Sequence, residues 1–331
     1  MTVLTFAEAR ESPCLTCSSS PCCTHLLLGT LDLDTLIRVD HALYLLNFDG
    51  IYLTMNGARD EAQVYLHQPC GFLDQRGLCS VHSTPVQPAV CKAYKSQTCS
   101  YRRISPDTHG GVPLLDHARM TAFVERLVFD DERQVIERPE WPELIAAFSE
   151  LPFERQPLRS GAGDWQPVAA PAGPGARFRF SDPQVSSPCT GCQAWCCQVL
   201  TFDRGRPSDA SQLDFMKYSL GFPGVELAIS DDTWRILVHT SCRHLENGRC
   251  SVYGKPERPL ECEAYDEFEC DYRRTGGLPH DAPSVRLRLD QFSDVAGSIV
   301  FDELGQILAI PPVAVLRRQL GDHPGAVPHA H

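Results

Sequence analysis

The chain has 331 residues, 30 of them basic and 42 acidic, for a net charge of −12. Nucleic acids and anionic membranes are held by clusters of Lys and Arg, and the sequence has none, which argues against both as partners. No apolar run approaches the ~20 residues needed to cross a bilayer, and the opening MTVLTFAEARESPC lacks the segments of a signal peptide, so the expected location is the cytoplasm, where thiols stay reduced.

In chain order, an amphipathic helix is expected after Cys22-Cys23, because Leu36, Val39, Leu43 and Leu46 recur at three- and four-residue steps. A short alternating strand at 64–67 follows, then a turn at Asp74-Gln75-Arg76-Gly77. The Pro-x-x-Cys segment 88–91 reads as a loop that delivers a thiolate. Further helices are expected at 117–128 and at 143–148, the latter with Pro142 in its first turn. Residues 155–187 are rich in Pro, Gly and Ala and read as a semi-extended linker.

The same order then recurs. A helix carries Leu213, Met216 and Leu220 behind the cap-like Ser208-Asp209 and Ser211. A strand at 236–239 precedes Glu246-Asn247-Gly248-Arg249, whose Asn-Gly is a strong hairpin signal. Segment 259–262 is the second Pro-x-x-Cys loop. The Pro/Gly-containing end with His323, His329 and His331 reads as a flexible tail. The copies match without a gap over CSVHSTPVQPAVCKAYKSQTCSYRR and CSVYGKPERPLECEAYDEFECDYRR, where 12 of 25 positions are identical. The Tyr-Arg-Arg that closes each stretch reads as solvated charge. The expected organisation is a first domain at 1–154, the linker 155–187, a second domain at 188–316 and the tail 317–331. The expected fold class is α+β: two homologous small metal-dependent domains, loop-rich around their cysteines.

All 16 cysteines belong to the repeat. Cys14, Cys17, Cys22, Cys23, Cys70, Cys79, Cys91 and Cys99 form one set. Cys189, Cys192, Cys196, Cys197, Cys242, Cys250, Cys262 and Cys270 form the other. Structural disulfides fit poorly with a chain that nothing exports, and inert core thiols have no reason to repeat their spacing. Metal ligation remains. A CxxC puts two thiolates on one tight turn, within reach of one ion. Neighbours in extended chain point to opposite sides, so the two sulfurs of each CC are expected to serve different centres, or to divide binding from redox work. Eight thiolates exceed the four that one zinc or one cubane uses, and zinc and iron–sulfur share the Cys₄ preference, so the expected cofactor is zinc or iron, including an iron–sulfur cluster.

His67 and His239 each stand three residues before a cysteine. Each is either a ligand at a site with an open position or a packed, hydrogen-bonded histidine at a strand end. The last two cysteines of the second copy are surrounded by Glu261, Glu263, Asp266, Glu267, Glu269 and Asp271, where the first copy has Lys92 and Lys95. Carboxylates disfavour thiolate and ammonium groups favour it, so the two sites are expected to differ in affinity or potential.

The CxxCxxxxCC of Cys14 to Cys23 and the CxxCxxxCC of Cys189 to Cys197, each followed by Cys-Ser-Val and Pro-x-x-Cys, resemble the YkgJ-type cysteine-cluster family. The second copy, with Tyr253 and Arg258-Pro259, is the closer match; the first has His82 and Gln87 at those places. The resemblance implies a zinc- or iron-chelating domain that is tied to no single reaction and is in some proteins fused to protein-modifying enzymes. Three functions follow as expectations: a metal-binding protein serving redox or metal handling, an iron-dependent enzyme acting on a protein or peptide, or a structural zinc module that docks a protein partner. No nucleotide loop, dinucleotide fingerprint or G-x-S-x-G is present, so no reaction is assigned.

Overall fold

The computed structural model describes residues 5, 8, 20–55, 60–93, 99, 101, 104–105, 112–154, 194–265 and 284–320. Cys14, Cys17, Cys189, Cys192 and Cys270 lie outside the described residues, as do Lys95, Asp266, Glu267, Glu269, Asp271, the expected linker and the end of the tail. The chain divides into two compact units, Met1–Leu46 with Gly50–Gly161 and Asn47–Asp49 with Ala162–His331. Both mix helix and sheet.

The first unit runs α1 (Pro21–Thr24), β1 (His25–Asp32), α2 (Leu36–Leu45), β2 (Ile51–Met55), β3 (Glu61–His67), α3 (Ala89–Ala93), β4 (Ile104–Ser105), β5 (Val112–Leu115), α4 (His117–Val124), β6 (Val128–Phe129), β7 (Val135–Glu137) and α5 (Trp141–Glu150). Its main sheet has the order β1-β3-β2-β5-β4, antiparallel except for the β4–β5 pair. The second unit runs from a 3₁₀ turn at Trp195–Cys197 through β8 (Val199–Asp203), α6 (Ala210–Leu220), β9 (Val225–Ser230), β10 (Trp234–His239), β11 (Leu245–Glu246), β12 (Arg249–Cys250), α7 (Leu260–Glu263), β13 (Ser284–Leu287), α8 (Leu289–Ala296), β14 (Val300–Phe301) and β15 (Ile307–Ala309) to α9 (Val313–Gln319). Its four-stranded sheet, read as β8-β10-β9-β13, repeats the strand order β1-β3-β2-β5. Helix α9 passes the expected domain end at 316 by one turn.

Several expectations hold with adjusted bounds. Thr35 caps α2 by accepting from the Arg38 amide, and the buried stripe is Val39, Ala42 and Leu45, with Leu36 and Leu43 only half-buried. Asp209 caps α6, and Leu213, Met216 and Leu220 are buried as expected. The Asn-Gly hairpin forms between β11 and β12, with Asn247 and Gly248 both at positive φ. The helix expected at 143–148 extends over Trp141–Glu150.

Other expectations change. A strand, not the helix, directly follows each CC. The strands β1 and β8 are edges of their sheets, β1 with burial that alternates in its first half and β8 buried at its start, and the helix comes only afterwards. The helix expected at 117–128 ends at Val124, where Arg126 and Leu127 donate to Phe123 and Val124 and tighten the chain into a turn. Val128 then opens the β6–β7 hairpin. The Pro-x-x-Cys segments are single helical turns, not loops: Cys91 lies in α3 and Cys262 in α7, each behind a proline whose missing N–H costs nothing at a helix start.

Candidate metal centre

The geometry of the cysteines follows from sheet register. In the first unit β1 leaves the CC turn and β3 returns antiparallel beside it, pairing His25 with His67. That brings residue 70 back to the CC, and the Cys70 amide donates to the Cys23 carbonyl at 2.7 Å. In the second unit Val199 pairs with His239, and the Cys242 amide donates to the Cys197 carbonyl at 2.8 Å.

A turn then adds the next sulfur. Cys79 bridges to Leu73, and Cys250 pairs with Leu245, at the same offset from the preceding cysteine. The first unit has one residue more between these cysteines, and the turn absorbs it. The Asp74 carboxylate there accepts from the Arg76 and Leu78 amides at 2.9 and 2.8 Å. The hairpin cysteines therefore keep equivalent places, as register requires.

The vicinal cysteines depart from expectation. Neither CC is extended: Cys22 and Cys23 sit in α1, Cys196 and Cys197 in the 3₁₀ turn, behind Ser20 and Ala194 at positive φ. A helical turn splays neighbours by about 100°, not 180°, and within each pair the thiols hydrogen-bond to each other. That bond holds Cys22 and Cys196 down at about 7. The same bonds, with burial, push Cys23 and Cys197 well above the usual thiol range.

Mutual electrostatic influence shows which sulfurs are neighbours. Cys22, Cys70 and Cys79 all raise Cys23. Cys196, Cys242 and Cys250 all raise Cys197. Burial, then Cys196, pushes Cys262 up to about 12, with Cys242 and Cys250 adding to it. Burial chiefly raises Cys70 and Cys242, against amide donors from Phe72 and His244, the latter at 3.4 Å from the Cys242 sulfur. The structure thus gathers Cys22, Cys23, Cys70 and Cys79 in one unit and Cys196, Cys197, Cys242, Cys250 and Cys262 in the other. Cys91 is exposed on α3 and Cys99 is half-buried. Cys23, Cys70, Cys79, Cys196, Cys197, Cys242, Cys250 and Cys262 carry thiols rather than disulfides.

Half-buried thiols converging on one sheet end are the donor chemistry that zinc, iron and iron–sulfur clusters take. Among the described residues, no three His, Cys, Asp or Glu stand close enough together to hold a metal ion; both CxxC pairs lie outside those residues. A thiolate-bound ion would draw on Cys23, Cys70 and Cys79 in the first unit and on Cys197, Cys242 and Cys250 in the second.

The two histidines behave differently. The His239 Nε2 lies 3.1 Å from the Glu226 carboxylate, which Arg286 also engages. His239 is therefore a buried, hydrogen-bonded strand-end residue. Arg286 lies 5.1 Å over the ring of Trp195, beside Cys196, so this network supports the CC turn. Burial opposes ionisation of Glu226, but the bonds from His239 and Arg286 hold its pKa at about 2. In the first unit Tyr52 and Leu114 stand at the register positions of Glu226 and Arg286. There His67 stacks on His25 with ring centroids 4.5 Å apart, and burial followed by the His67 charge lowers His25 to about 4. Sequence reasoning missed His25, Glu226, Arg286 and Trp195. For Trp195 and His25 the signal available was that each breaks the identity between the copies beside a vicinal cysteine pair; Glu226 and Arg286 lie 16 residues from any cysteine and carry no such signal.

Glu261, Glu263 and Lys92 are exposed, where solvent screens their charge. No family model, curated protein or solved structure matches the chain. Among the described residues no helix is long and apolar enough to cross a membrane.

Proposed function

We propose that the chain is a metalloprotein made of two homologous YkgJ-type cysteine-cluster domains, 1–154 and 188–316, each binding zinc, iron or an iron–sulfur cluster through its eight cysteines. The reading places the protein in the reducing cytoplasm, in redox transfer or metal handling. The observation that carries it is the repeated convergence of thiols from a CC turn, the end of a central strand and a following hairpin. Two different sequences reach it through the same hydrogen bonds: Cys23 and Cys197 donate to Ser20 and Ala194, Gln68 and Thr240 donate to Thr24 and Gln198, and Cys91 and Cys262 donate to Pro88 and Pro259.

The sheet carries the sulfurs at both ends of a long loop, so a bound ion cross-links segments about 50 residues apart in sequence. Metal would then add folding energy on the order of 10 kcal/mol per site. Cobalt(II) is the probe of choice, because thiolate coordination gives it visible ligand-field and charge-transfer bands. The full chain is expected to develop those bands and to lose about half of them in C23S/C70S, and the other half in C197S/C242S. Unchanged bands in both double variants would refute the assignment.

A further inference from the structure

We propose that Arg258 is a positioning residue that sets the charge balance of the second unit's thiolate centre and makes it unequal to the first. The inference rests on the metal-binding reading. Arg258 stands just before the Pro259-x-x-Cys262 turn. Its guanidinium donates to the Cys262 carbonyl and lies 4.4 Å over the exposed Tyr253 ring. These contacts fix the cation at the sulfur cluster. Its Nε is buried and has no hydrogen-bond partner among the described residues. A buried guanidinium donor without an acceptor is costly, and the anionic sulfurs of a filled centre are the acceptors nearest in chemistry.

The first unit has Gln87 at this place. Gln87 is buried, and its side-chain oxygen accepts from the Ser83 amide at 2.7 Å, closing the turn between Cys79 and Cys91. It brings no charge. A divalent ion with four thiolates carries a net charge of −2, and a fixed cation beside it offsets part of that in a half-buried site where water screens poorly. The inequality therefore runs opposite to the one the exposed flanking residues suggest. The acidic side chains around the second set include the exposed Glu261 and Glu263, while the half-buried contact is with Arg258.

The test is cobalt(II) titration of the full chain against a competing chelator, read by thiolate-to-cobalt absorption. The native chain should bind in two unequal steps. R258Q, which installs the first unit's residue, should weaken the tighter step by about tenfold or more. R258K keeps a charge but loses the planar fork, and should retain most of the affinity. Q87R should strengthen the weaker step. R258Q binding like the native chain, or R258K failing as badly as R258Q, would overturn the proposal; the second result would mean that the bond to Cys262, not the charge, matters. A native chain with no thiolate-to-cobalt absorption would instead sink the metal-binding reading itself, before any variant is compared.

Discussion

Replacing Glu226 by Gln isolates what the buried ion network does beside the second cysteine cluster. Glu226 is 5% exposed and accepts from both His239 and Arg286. Gln keeps the shape but removes the charge that holds Arg286, whose side chain is only 18% exposed. Breaking one partner of a buried pair costs about 3–5 kcal/mol. Partial exposure of Arg286 places this case near ~3 kcal/mol. At typical urea slopes that lowers the denaturation midpoint of the second unit by roughly 1–3 M. The double variant E226Q/R286M removes the stranded cation and should recover most of the loss, because an apolar replacement of a buried pair is close to neutral. The pH dependence has a definite sign. The folded pKa of about 2 lies below the ordinary carboxylate value of 4.5, so the stabilisation is full above about 4.5 and fades as pH falls toward 2. E226Q should lack that acid-side slope. An unfolding free energy within ~0.5 kcal/mol of the native chain at neutral pH would refute the reasoning.

Leu237 is fully buried against Trp195, Val199 and Ala228, so Leu237→Ala should cost about 2–5 kcal/mol in the same urea assay and shift Trp fluorescence. Gly50 has φ +76°, and a Cβ there would sit 3.3 Å from the His67 carbonyl. Gly50→Ala should destabilise by about 1–3 kcal/mol, whereas Gly29→Ala, with nothing within 4 Å and an ordinary φ, should be near neutral by thermal melting. Excess chelator should lower the melting temperature of the native chain and leave C23S/C70S/C197S/C242S unmoved; equal shifts would contradict a structural share for the metal.

The sequence singled out the cysteines and left their arrangement hidden. Repeated spacing identified the cysteines, and local turn signals gave the Asn247-Gly248 hairpin and the Asp209 cap. The edge strands β1 and β8 and the central strands β2 and β9 were not read. β2 is buried at every position, so no alternation marks it, and β1 hides its alternation within a run of leucines. The orientation of the vicinal thiols was misread because it depends on a short helical turn entered through positive-φ Ser20 and Ala194, residue types that seldom adopt that conformation. The Glu226–His239–Arg286 network ties the β9–β10 hairpin to the distant strand β13, and only register shows it. Arg258 was visible as part of a motif, but its bond to Cys262 appears only in three dimensions.

The most direct test is the metal content of native protein purified without air and without chelator, measured by elemental analysis together with the absorption spectrum. The account predicts stoichiometric zinc or iron in each half, with Cys-to-Ser changes at residues 23 and 197 each emptying one half. A folded native chain that holds neither metal would contradict it.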